Sequence, residues 1–76
     1  MLTKYIQAAM RRAKYEILED DGTIYGHSRD LPGAWANATT LEGCRDELQE
    51  VVEDWIMASI ASHRPLPEID GDLETS

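Results

Sequence analysis

A chain of 76 residues is one domain, and although its 42% hydrophobic content suffices for a core, so short a chain hides only about 60% of its unfolded surface and is marginally stable alone. Its net charge of −8, from 15 acids against 7 Lys and Arg, sets its body against phosphate backbones and so against direct nucleic-acid binding. No apolar run reaches the ~18 residues of a membrane span, the N-terminus lacks the apolar centre of a signal peptide, and one cysteine cannot form an internal disulfide; a cytoplasmic protein without membrane contact is expected.

The charge is uneven. Residues 1–14 hold Lys4, Arg11, Arg12 and Lys14 with no acid, so this segment is expected to lie near acidic groups of its own chain or of another copy. Leu2, Tyr5, Ile6, Ala9, Met10 and Ala13 recur at helical spacing, which predicts an amphipathic helix over 2–13, stable only when docked.

The period then changes. Tyr15-Glu16-Ile17-Leu18 and Thr23-Ile24-Tyr25-Gly26-His27 are β-prone runs around Asp20-Asp21-Gly22, a hairpin signal, with Asp21-Gly22 as the turn. That loop sets Leu18 opposite Tyr25. Tyr15, Ile17, Ile24 and Gly26 then share the face suited to packing on a helix, and Glu16, Leu18, Tyr25 and His27 share the other, whereas a three-residue loop would exchange the faces. Leu18 and Tyr25 make that second face too apolar to be simply solvated, which points to an oligomer or a complex.

Leu31-Pro32-Gly33 suits a type II turn, and Ala34–Ala38 is a third strand whose alanines admit a helix while Trp35 points away, or the reverse. From Thr39 to about Ser62, Leu41, Cys44, Leu48, Val51, Val52, Trp55, Ile56 and Ser59 recur at steps of three and four, the stripe of one long helix. Thr39-Thr40-Leu41-Glu42 reads as a capping box and Pro65 as the stop. The other face carries Asp46, Glu47, Glu50, Glu53 and Asp54 with Met57 among them, where like charges four apart each cost about 0.2–0.5 kcal/mol; it is either a solvated face or a docking surface for a basic partner. Leu66–Ile69 is expected as a short edge strand, and 71–76 as an acidic flexible tail. The expected fold is α+β in two layers over 1–70: N-terminal helix, three-stranded antiparallel meander, long helix on one face, short C-terminal edge strand.

Tyr15-Glu16-Ile17-Leu18-Glu19-Asp20-Asp21-Gly22, Leu31-Pro32-Gly33 followed by Trp35-Ala36, Thr40-Leu41-Glu42 and Pro65-Leu66-Pro67 together resemble the HicB family, the antitoxin half of HicA/HicB pairs, over Lys14 to Ile69. The resemblance implies a partial ribonuclease-H-like domain that masks a small basic HicA-type toxin, a ribonuclease that cuts messenger RNA. Ala38 stands where the family usually has glycine, and Gly43 where a second acid is common, which weakens the first helical turn by about 1 kcal/mol relative to alanine. The C-terminal DNA-binding module of many members has no counterpart here, so a short, stand-alone form is expected, with the N-terminal helix as an addition to the usual domain.

Chemistry finds little support in the residues. A two-metal nuclease needs carboxylates converging on ions about 4 Å apart; Glu19, Asp20 and Asp21 cluster at the hairpin but read as turn residues, and the long helix turns an apolar stripe to the sheet. His27 and His63 have no companion at metal-ligand spacing, and Cys44 lies on the apolar stripe. The expectation is a non-enzymatic binding protein with no cofactor and no metal, a homodimer or larger, that contacts a HicA-type toxin through Leu18, Tyr25 and Trp35 or through Asp46, Glu50, Glu53, Asp54 and Met57. A stand-alone oligomeric scaffold or regulatory module is the alternative, and a degenerate nuclease the third.

Overall fold

The computed structural model describes residues 2–69, with side chains from Thr3 onward. The expected acidic tail, 71–76, and the side chain of Leu2 lie outside the described residues. Helix α1 spans Leu2–Arg11, strands β1, β2 and β3 span Lys14–Ile17, Ile24–His27 and Trp35–Ala38, and helix α2 spans Leu41–Ala61. The strands form one antiparallel sheet in the order β1-β2-β3, and α2 packs over β3 and β2.

The buried line of α2 is Cys44, Leu48, Val52, Ile56 and Ser59, the steps of four and three that the sequence predicts. Leu41, expected on that line, is exposed. The N-cap is Thr40, extended at φ −129° and ψ 157°, whose hydroxyl accepts from the Gly43 N–H at 3.0 Å. Only half of the expected capping box is therefore made. With Thr40 as cap, the position whose side chain would reach back is Gly43, which has none, and Glu42 serves only as an acid in the first turn.

Helix α2 ends where expected, at Ala61 with Ser62 as C-cap, but not by the expected means. Ser62 donates to the Ala58 carbonyl at 3.0 Å, His63 to Ile60 at 3.0 Å and Arg64 to Ser59 at 2.9 Å, with His63 at φ +59°. This is a Schellman motif, in which the left-handed His63 turns the chain away just after the Ser62 C-cap, two residues before Pro65. A left-handed histidine carries a steric cost that glycine does not. His63→Gly should therefore stabilise the domain by up to about 1 kcal/mol, seen as a higher urea midpoint, while His63→Val should lower it.

The hairpin register is displaced from the predicted one. Glu16 pairs with Tyr25, and Leu18 donates to the Thr23 carbonyl at 2.8 Å, so the loop is the four residues Glu19–Gly22. Gly22 has φ +73° but Asp21 is not left-handed, which rules out a type I′ turn; instead the Asp21 carboxylate accepts from the Thr23 N–H at 3.1 Å and hydroxyl at 2.7 Å. Two positions are one full pleat repeat, so each side chain keeps its predicted face. Gly26 is buried with Tyr15 and Ile24 half-buried, and the paired β3 residues Ala36 and Ala38 complete that face beneath α2. Trp35 points away from α2, which settles the orientation of β3. Ile17 shares the inner face but is 69% exposed, because α2 covers β2 and β3 and stops short of β1.

Between β2 and β3, Ala34 donates to the Leu31 carbonyl at 3.1 Å with Gly33 at φ +88°, the type II turn read from Pro32-Gly33. The buried Ser28 hydroxyl accepts from the Leu31 N–H at 3.1 Å, which turns Leu31 wholly into the core. Trp55 Nε1 donates to the Pro32 carbonyl at 3.0 Å and ties α2 to this loop.

Helix α1 ends at Arg11, short of the predicted Ala13, and buries Tyr5, Ala8 and Ala9 while packing on α2. Arg12 meets Asp30 of its own chain at 2.9 Å. No described residue after Arg64 is in a strand, contrary to the expected edge strand at Leu66–Ile69. Pro65 and Pro67 lack the N–H groups a ladder uses, so this segment crosses the domain as a strap: the Pro67 carbonyl accepts from the Tyr5 hydroxyl, and Ile69 is buried in the core.

Candidate partner-binding surfaces

The residues singled out from sequence fall on two separate surfaces. Leu18, Tyr25 and Trp35 lie on the outer face of the sheet, away from α2; Leu18 and Tyr25 are half-buried, and Trp35 is 54% exposed. The Tyr25 ring stacks on His27 with centroids 5.5 Å apart and lies 6.0 Å from the Trp35 ring. His27 is thus a fourth member of this patch. Its strand parity with Tyr25 is the signal, which a search for metal ligands passes over. Beside it, Asn37 Nδ2 donates to the Thr23 hydroxyl at 2.8 Å and the Ile24 carbonyl at 3.0 Å, which holds the patch's border in place.

Asp46, Glu50, Glu53, Asp54 and Met57 lie together on the far side of α2, all exposed, with Glu47 beside them. Gln49 donates to Glu53 at 3.3 Å within this face. Along its border with α1 runs a groove of about 410 Å³ lined by Ile6, Met10, Arg11, Arg45, Gln49 and Glu53. Because α2 lies between its own acidic face and the sheet, the two patches sit on opposite sides of a two-layer domain. One small partner cannot cover both.

The residues weighed for chemistry are spread apart. Glu19, Asp20 and Asp21 are exposed in the hairpin loop, where the hydrogen bonds from Thr23 hold the Asp21 carboxyl below its usual pKa. His27 is on β2, His63 follows the C-cap of α2, and among the described residues no group of three or more His, Cys, Asp or Glu is placed to share a metal ion. Cys44 is buried, its thiol donates to the Ala36 carbonyl at 3.6 Å, and burial, with Glu47 adding to it, pushes its pKa up. A thiol so held is a packing group, with little thiolate to act as a nucleophile.

A family model described as UPF0150-like matches residues 4–67. The chain belongs to the UPF0150-like family. The UPF0150-like match takes in α1 from Lys4 onward and reaches Pro67 in the strap. The crystal structure of TTHA0281 from Thermus thermophilus superposes on this UPF0150-like chain with a TM-score of 0.87 at 37% identity, over 93% of this chain and 88% of the other. No curated protein matches the chain.

Proposed function

We propose that this UPF0150-like chain is a non-enzymatic, HicB-like antitoxin-type protein that masks a small basic HicA-type ribonuclease by covering its active surface. The observation that carries the reading is the exposed acidic face of α2 on a chain of this family: Asp46, Glu50, Glu53 and Asp54 offer a basic ribonuclease a surface of opposite charge. Such complementarity chiefly speeds encounter, so the complex should weaken as salt rises. No helix among the described residues is long and apolar enough to cross a membrane, which suits a partner met in solution.

Co-expression with a HicA-type toxin from the same genetic neighbourhood tests it. Relief of growth arrest and co-purification are expected, and Glu50→Lys with Glu53→Lys should weaken the complex at least tenfold, two like charges then facing a basic surface. A toxin that still arrests growth and does not co-purify removes the reading. If Trp35→Ala abolishes binding while the double lysine variant does not, the contact lies on the aromatic patch of the sheet. The uncovered sheet edge favours the second reading, a stand-alone oligomeric scaffold, for which no toxin gene would neighbour this one.

A further inference from the structure

Among the described residues strand β1 is paired along one edge only, to β2, and its other edge is open. Leu18 bonds through its N–H to Thr23 on the β2 side, and Ser28 through its own to Ala34 beside β3, which fixes the phase of both ladders. In antiparallel pairing backbone groups alternate in direction, so Lys14 and Glu16 bond towards β2, while Tyr15 and Ile17 present theirs outwards. The Tyr15 ring lies over β2, so close that a Cβ on Gly26 would be 2.8 Å from it, and therefore leaves the outer edge clear. An edge with outward N–H and C=O groups, carrying an isoleucine that is 69% exposed, is a template for another strand.

We infer that β1 pairs antiparallel with β1 of a second copy about a two-fold axis at Tyr15, joining two three-stranded sheets into one of six strands. The chain's own charges select this register. To keep the inner faces of both sheets on one side, the axis must pass through a residue, not between two residues. An axis at Ala13 sets Arg12 against Lys14, one at Lys14 sets lysine against lysine, one at Glu16 sets glutamate against glutamate, and one at Ile17 sets Glu16 against Leu18. Among the residues of β1 itself, Lys14–Ile17, opposite charges meet only at Tyr15: Lys14 faces the partner's Glu16, twice by symmetry, on the exposed outer face. On the inner face Ile17 then lies against the partner's Ala13, which covers the side chain that α2 leaves bare. The other open edge, β3, has no charged residue in Trp35–Ala38 to set a register. The pairing stands whether or not a toxin partner exists.

The test is a charge exchange read by light scattering on the full chain at high micromolar concentration. Wild type should run as a dimer or an even-numbered assembly containing it. Lys14→Glu alone and Glu16→Lys alone should each weaken association at least tenfold, and the two together should restore it; both positions are exposed, so circular dichroism should be unchanged. As an independent reading, chains carrying Lys14→Cys mixed with chains carrying Glu16→Cys should form a covalent heterodimer on mild oxidation, while neither does so alone. A wild-type monomer would overturn the inference and assign Lys14 and Glu16 to guarding the edge. An assembly indifferent to both single exchanges, or a mixture that fails to cross-link, would overturn it equally by moving the contact to another face.

Discussion

Leu48→Ala should remove a large share of the domain's stability and lower its urea midpoint steeply. Leu48 has no solvent exposure and stands mid-line on the buried face of α2, between Cys44 and Val52. Leucine-to-alanine changes at such sites cost about 2–5 kcal/mol, the spread reflecting how far the surroundings close the cavity. At about 0.05–0.15 kcal/mol per residue, a chain of this length has about 4–11 kcal/mol in total. The change therefore takes roughly half of what holds the fold together, and at the low end of that range leaves an appreciable unfolded fraction in water. Met57→Ala on the same helix is the control. Met57 is 60% exposed, so its truncation should fall within about 0.5 kcal/mol of wild type. Equal shifts for the two variants, followed by circular dichroism, would mean that the line from Cys44 to Ser59 does not face the sheet.

Gly26→Ala should be the most damaging single-methyl addition in the chain. A Cβ there would lie 2.8 Å from two atoms of the Tyr15 ring and 2.9 Å from Cys44 Sγ. Gly26 does not have a positive φ, so the backbone itself would tolerate alanine, and loss of chain freedom in the unfolded state would favour the variant by about 0.4–1 kcal/mol. Overpacking works against it at about 1–3 kcal/mol, and this sign wins because neither neighbour is a free end: the thiol is on α2 and bonded to Ala36, and the Tyr15 hydroxyl is buried. A net loss of about 1–2 kcal/mol is expected by chemical denaturation. Cys44→Ala in the same chain removes one of the two contacts and should recover part of it. A Gly26→Ala protein as stable as wild type would show that α2 seats farther from β2 than these distances require.

What the sequence disclosed follows from how far each signal reaches. The line through Cys44, Leu48, Val52 and Ile56 repeats over about three turns, so α2 is legible without any tertiary knowledge. The face of each hairpin residue was legible for a different reason: Tyr15 and Gly26 keep their side under the observed register because a two-residue displacement leaves parity intact, even though the turn is four residues long. Loop length was not legible, since Asp21-Gly22 supports more than one turn and the Thr23 bond to Asp21 chooses among them. Ends read from single residues fared worse. Pro65 marks a place where a helix cannot continue, but the left-handed His63 had already stopped it, and histidine gives no such warning. Leu66–Ile69 has the composition of a strand, but a strand needs a neighbour to bond, and the two prolines leave it tied to Tyr5 instead.

For the candidate surfaces, the acidic face of α2 follows from helical period alone, and every acid named on it is exposed. The aromatic patch was half legible. Trp35 could have pointed to either side until Gly26 and Ala36 were seen to leave room for Cys44, and His27 joins Tyr25 only through strand parity. The bare Ile17 side chain on β1 could not be read from one sequence, because it depends on how far α2 extends across the sheet.

The Tyr5 hydroxyl finds its acceptor 62 positions later, at Pro67. During synthesis at about 5–20 residues per second, the first helix emerges several seconds before the carbonyl that secures it exists. In that interval it is a short amphipathic segment with an unfilled seat, able to come off and return. Within this domain α1 is thus made early, while the bond that ties Tyr5 to Pro67 forms late.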